Sequence, residues 1–253
     1  MKHSFLHATA AIALLSSAAF AQAVDPTLTG SFILVEEGTG VSQPVASLAI
    51  LNFMSGGTVA GTHIMRGPGM TVKNSVQGTY SMKADGSGNL ALSYQTPQTE
   101  DNQPIVTSFN YQLRWSKTGG VVAIRTDTGL FSIAVLTAAA PAGPIKGGFL
   151  LVERANGTPY AGLGYLGLDG ANGITGSEQV AALGSNTVSA LTGAYAVGTD
   201  GFGSMTLNFP SVNSDGNTVY TAANYVFAVG VNQLYAIRTD GGAAFISTLT
   251  ATP

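Results

Sequence analysis

The sequence predicts an all-β protein made of two homologous antiparallel units of about eight strands each. Two small up-and-down barrels in tandem are the preferred arrangement and β-sandwiches the alternative. Three observations lead there. The chain repeats itself, its apolar residues alternate with a period of two, and Asp-Gly and Gly-Gly pairs punctuate the alternating runs.

The repeat sets the organisation. Gly30-Ser31-Phe32-Ile33-Leu34-Val35-Glu36 returns as Gly147-Gly148-Phe149-Leu150-Leu151-Val152-Glu153, a shift of 117. Gly78-Thr79-Tyr80, Asp85-Gly86-Ser87-Gly88 and Leu90-Ala91-Leu92 return 115 residues later as Gly193-Ala194-Tyr195, Asp200-Gly201-Phe202-Gly203 and Met205-Thr206-Leu207. Asn110-Tyr111 becomes Asn224-Tyr225, and Ala123-Ile124-Arg125-Thr126-Asp127 recurs unchanged as Ala236-Ile237-Arg238-Thr239-Asp240. Preserved order with a slowly drifting shift means one ancestral unit of about 110 residues, duplicated.

Taken in order, strands are expected near 30–37, 45–54, 58–66, 74–84, 89–96, 106–116, 120–127 and 130–137, with counterparts from 147 to 250. Leu90, Leu92 and Tyr94 alternate with Asn89, Ala91 and Ser93; Met205, Leu207 and Phe209 do the same in the second unit. Tyr111, Leu113 and Trp115 share a face, as do Tyr225, Phe227 and Val229. Turns are expected at the Asp-Gly pairs beginning at Asp85, Asp169, Asp200, Asp215 and Asp240, and at Gly56-Gly57 and Gly119-Gly120. Eight consecutive antiparallel strands can close on themselves and so remove reactive sheet edges.

The first residues read as a secretory signal peptide. Lys2 precedes an apolar run from about Ala8 to Phe20, and Ala21-Gln22-Ala23 suits cleavage after Ala23. The expected divisions are a signal peptide at 1–23, a first barrel unit at 24–139, a linker at 140–146 and a second barrel unit at 147–253. Each unit is long enough for its own core, so 24–139 is expected to fold alone. The mature chain is expected to be secreted or periplasmic and has no run long enough for a transmembrane helix.

Composition narrows the chemistry. The 253 residues carry 10 basic and 13 acidic side chains, 45% hydrophobic residues and no cysteine. Disorder, disulfides, thiolate metal sites and cysteine nucleophiles are excluded, and a net charge of −3 offers no footprint for nucleic acid. No cofactor, metal site or catalytic residue is expected.

An ancestral site should appear in both units. Four charged positions do: Glu36 with Glu153, Asp85 with Asp200, Arg125 with Arg238, and Asp127 with Asp240. Arg125 and Asp127 share a strand face, which predicts an ion pair on the outer face or at a strand end, with the glutamate as a further partner. The functional alternative is an arginine anchoring a ligand at a barrel mouth. The residues that could line such a site are Tyr80, Tyr111, Arg125, Tyr195, Tyr225 and Arg238. Asp85 and Asp200 lack the alternating oxygen ligands of a calcium loop and read as turns. His63 has no histidine counterpart and is expected to be solvated. Glu36, Glu37, Glu153 and Glu178 are available for paired-carboxylate chemistry, but no spacing singles out a pair.

The Gly-x-Tyr strand followed by Asp-Gly-x-Gly, in Gly78 to Leu92 and Gly193 to Leu207, resembles a pattern in uncharacterised secreted bacterial β-proteins. Eight short strands are also similar to the barrels of calycins such as lipocalins and to allene oxide cyclase and dirigent barrels. That similarity implies an apolar ligand cavity or a cyclase-type site. Phe32 and Phe149 stand where calycins carry a tryptophan, and no catalytic residue transfers.

The function expected from these features is non-catalytic, structural or directed to surface interaction, with self-association or a small apolar ligand as the partner. The alternatives are a carrier of small hydrophobic ligands inside the barrels and a cyclase- or isomerase-type enzyme using Arg125 or Arg238 with a tyrosine.

Overall fold

The computed structural model of the chain describes residues 27–40, 44–67, 70–96, 105–115, 120–127, 130–156, 159–182, 185–240 and 244–252. The expected signal peptide at 1–23, together with Gly119 and Gly241 of the expected turns, lies outside them. The first unit contains β1 (Gly30–Gly40), β2 (Pro44–Met54), β3 (Thr58–Gly67), β4 (Met70–Met82), β5 (Ser87–Thr96), β6 (Ile105–Trp115), β7 (Val121–Arg125) and β8 (Leu130–Ala138). The second contains β9 (Lys146–Asn156), β10 (Tyr160–Asp169), β11 (Gly173–Ala182), β12 (Ser185–Val197), β13 (Phe202–Val212), β14 (Thr218–Gly230), β15 (Gln233–Arg238) and β16 (Ala244–Ala251).

Each set pairs antiparallel in chain order and closes, β1 on β8 and β9 on β16, into an eight-stranded barrel. The alternation read from sequence places one face of every strand inside. Leu34, Leu51, Leu90, Leu92, Tyr111 and Leu136 belong to the first interior, and Leu151, Leu166, Leu207, Tyr225, Phe227 and Leu249 to the second. These side chains fill the barrels, as in other closed sheets of this size.

Two repeated motifs are explained by how a barrel is finished at its base. The segment before each first strand crosses the barrel end, burying Leu28 in one unit and Ile145 in the other. The Tyr80 hydroxyl donates to the Leu28 carbonyl and the Tyr195 hydroxyl to the Ile145 carbonyl, both at 2.6 Å. The glycine two residues earlier is equally constrained: a Cβ on Gly78 or Gly193 would run into the carbonyl oxygen of Ala91 or Thr206 on the neighbouring strand. In the following turn, Asp85 accepts from the Ser87 amide at 2.8 Å and Asp200 from the Phe202 amide at 3.2 Å. Gly86 and Gly201 adopt φ of 78° and 83°, the left-handed region that glycine enters without strain.

A third apolar cluster lies between the barrels. The outer faces of β1 and β2 present Ile33, Val35, Leu48 and Ile50, and these pack with Val226, Ala228, Tyr235, Ile237 and Ile246 from the outer faces of β14 to β16. Lys73 adds an ion pair to Asp200 at 2.7 Å. The connecting segment is pinned too, because Ala139 bridges to Gly230 and the Ala140 amide donates to the Val229 carbonyl. The barrels therefore share an apolar joint besides their separate cores.

Candidate functional site

The inward faces near the hairpin end joining β1 to β2, and the equivalent end joining β9 to β10, each hold a buried carboxylate. In the first barrel Glu36 on β1 accepts from Ser47 on β2 at 2.8 Å, from Tyr111 on β6 at 3.1 Å, and from Ser132 on β8. Arg125, at the end of β7, lies 3.5 Å from Glu36 and 2.7 Å from Asp127. Its guanidinium stacks over the Phe109 ring, 4.3 Å from the centroid. The ion pair expected at a strand end is thus present and includes the glutamate, and it faces the barrel interior.

Asp127 also accepts from the backbone and side-chain amides of Asn110, while the Thr126 amide donates to the Asn110 carbonyl. The second copy repeats this latch with Arg238, Asp240, Asn224 and Thr239. The recurrence of Asn-Tyr and Ala-Ile-Arg-Thr-Asp is accordingly a strand-end closure that ties β6 to β7 and β14 to β15.

His63 corrects its sequence reading. It is 1% exposed, inside the first barrel, with its ring 5.1 Å from Phe109 and neither nitrogen hydrogen-bonded among the described residues. The cause is strand parity: His63 shares its face with Val59, which is also buried. Burial lowers the imidazole pKa from 6.5 to about 4; the nearby Glu36 opposes this shift and Arg125 reinforces it.

The second barrel departs from the first at this position. Ala49 pairs with His63 across β2 and β3, and its counterpart Gly164 pairs with Glu178 across β10 and β11. Glu178 therefore occupies the histidine's place. The Tyr160 hydroxyl donates to Glu153 at 2.8 Å and lies 3.4 Å from Glu178, while Ser247 donates to Glu153 at 2.9 Å. A Cβ on Gly162 would overlap the Glu178 carboxylate, so the glycine makes its room. Burial, and then the Glu153 charge, raise the Glu178 pKa from 4.5 to about 7. Burial and both glutamates push Tyr160 upward as well. The Tyr225 hydroxyl, counterpart of Tyr111, is buried near Glu153 without a well-formed hydrogen bond among the described residues, and burial followed by the charge of Glu153 raises its pKa.

Of the six residues expected to line a site, Tyr111 and Arg125 meet at Glu36, and Tyr225 and Arg238 lie near Glu153. Tyr80 and Tyr195 stand apart at the barrel bases. Sequence reasoning missed Ser47, Ser132, Tyr160 and Ser247 as partners, and the pairing of Glu153 with Glu178. The duplication held one usable signal, because the 115-residue shift carries His63 onto Glu178.

The chain matches no protein-family model and no curated protein.

Chemically, both centres are enclosed. Glu36, Glu153 and Glu178 are each no more than 2% exposed, and their acceptors are occupied by hydroxyls and, in the first barrel, an arginine of the same barrel. Among the described residues no three His, Asp or Glu side chains converge as a metal site would require. Open space lies outside instead, in a groove of about 780 Å³ between the barrels, lined by Val35, Ile133 and Val135 on one side and Tyr235, Ile246 and Arg154 on the other.

Proposed function

We propose that the protein is an exported, non-catalytic β-barrel protein with a structural or surface-interaction role. The observation that carries this reading is that the duplicated charged residues of the first barrel satisfy one another inside it. Glu36, Arg125, Asp127 and Asn110 form a closed hydrogen-bonded set, and the exposed parts of the barrels are outer strand faces rich in apolar residues. A catalytic arginine needs a charge to offer a substrate, whereas Arg125 is neutralised by two carboxylates and covered by Phe109. Tyr80 and Tyr195 act in base closure, which supports a packing role for the inner tyrosines. The apolar run before Ala21-Gln22-Ala23 supports export.

Native mass spectrometry of the mature protein from its own secreting cells tests the reading. The expected mass is that of a chain beginning at Val24 with no small molecule added. A discrete apolar ligand mass would replace this proposal with the carrier, and an intact N-terminus would remove export.

A further inference from the structure

The joint between the barrels is heterologous: it brings together two different faces of one duplicated unit. The first barrel contributes the outer face of β1 and β2, and the second contributes the outer face of β14 to β16. Each unit must possess both faces, so the chain retains one unused copy of each. They are the β9–β10 face of the second barrel and the β7–β8 face of the first, whose Ile124, Ile133 and Val135 border the groove yet stay 40–56% exposed.

Both unused faces have kept their apolar character. Ile33, Val35, Leu48 and Ile50 of the buried face correspond to Leu150, Val152, Leu163 and Tyr165, which are 43–53% exposed. Tyr235, Ile237, Ile246 and Thr248 correspond to Val122, Ile124, Ile133 and Val135, which are 40–56% exposed. Strand register makes each set contiguous, pairing Leu150 with Tyr165 and Val152 with Leu163, and Val122 with Val135 and Ile124 with Ile133. A water-facing side of an antiparallel sheet normally reads polar, and a contiguous apolar tile marks an interaction surface.

The charges follow the same logic. Within the chain Glu37 on β1 pairs with Arg154 on β9, and these two residues occupy equivalent positions in the two units. Exchanging the roles of the barrels exchanges the two charges, so a repeated joint brings Arg154 of one chain to Glu37 of another. The attraction survives with its sign reversed.

We propose that the β9–β10 face of one chain docks on the β7–β8 face of a second copy, repeating the intrachain joint head to tail. This rests on the reading of the outer faces as the working surfaces of the protein. The two faces of a unit are centred between two and three strands apart on an eight-stranded ring. Head-to-tail contacts close into a ring where the rotation closes and run on as an open filament where it does not. Because each chain brings two barrels, a closed ring holds an even number of them, and four barrels from two chains is the smallest, with the groove beside Val35, Val135 and Ile246 facing its centre. The intermolecular joint is the weaker one. The Lys73–Asp200 pair is replaced by Val188 and Asp85, and Ile64, Val226 and Ala228 by Gln179, Gln112 and Arg114.

Sedimentation velocity of the mature full-length protein over a concentration series tests the docking, with Ile124→Asp and Leu163→Asp as probes. Both side chains are more than half exposed, so circular dichroism should stay unchanged. The expected result is a two-chain species in the wild type, with each variant's association weakened at least about tenfold by the carboxylate introduced into the joint. A mixture of the two variants should recover heterodimers, because Ile124→Asp keeps one intact face and Leu163→Asp the complementary one. A wild type that stays monomeric, or association unaffected by either variant, overturns the docking. Native mass spectra separate the two failures: a ligand-free monomer refutes the docking alone, and a monomer carrying an apolar ligand refutes the structural reading as well.

Discussion

Glu178→Gln should change the pH dependence of stability in a direction the structure specifies. Glu178 is buried beside Glu153, and its pKa is raised from 4.5 to about 7. The native state then keeps a proton that the unfolded chain has released, so stability is fully present below 4.5 and lost as pH rises through 7. At about 1.4 kcal/mol per tenfold change in proton affinity, the loss from pH 4 to pH 8 approaches about 3 kcal/mol. His63 acts in the opposite sense. Its pKa falls from 6.5 to about 4, so its contribution is present above 6.5 and lost as pH falls through 4, again by about 3 kcal/mol. The two groups lie in different barrels, so their slopes oppose each other across their overlap in a transition that unfolds both barrels together. Glu178→Gln removes one of them, so the variant should gain stability from pH 4.5 to 6.5, where the wild type stays nearly level, and hold level above 6.5, where the wild type declines up to pH 7. Urea denaturation at pH 4.5, 6.5 and 8, followed by circular dichroism for both barrels and by Trp115 fluorescence for the first, reads this directly. Parallel wild-type and variant profiles would refute the protonation argument.

Other outcomes follow from the same contacts. Tyr195→Phe leaves the buried Ile145 carbonyl without its donor and should cost about 1–2 kcal/mol in thermal unfolding; Tyr80→Phe should act likewise at Leu28. Arg125→Met removes the cation beside Glu36 and Asp127, and about 3 kcal/mol of destabilisation is expected in denaturant titration, partly recovered by Glu36→Gln in the same chain. Residues 24–139 expressed alone should give cooperative unfolding, since the first core lies wholly within them, yet should self-associate on size exclusion because Ile33 and Leu48 lose their cover.

The strands were legible because each obeys a single rule, one face apolar with turns marked by Asp-Gly, and the duplication checked every strand against a second copy. The carboxylate centres were less legible. Ser47, Ser132 and Ser247 are small enough to sit on either face, so only the glutamate they bind explains their burial. His63 is expected to be solvated as a lone histidine on a polar strand, although its parity with Val59 assigns it to the interior. The joint between barrels left a different trace. In Phe32-Ile33-Leu34-Val35 both parities are apolar, which in a strand means that both faces are covered. Phe32 and Leu34 pack inside the barrel, while Ile33 and Val35 pack against the second unit. Phe149-Leu150-Leu151-Val152 carries the same double pattern, with Phe149 and Leu151 inside. Leu150 and Val152 face outward on a strand whose other neighbours leave them nearly half exposed. A sequence written for two covered faces, on a strand with one face covered within the chain, is the physical ground for assigning the second face to another copy.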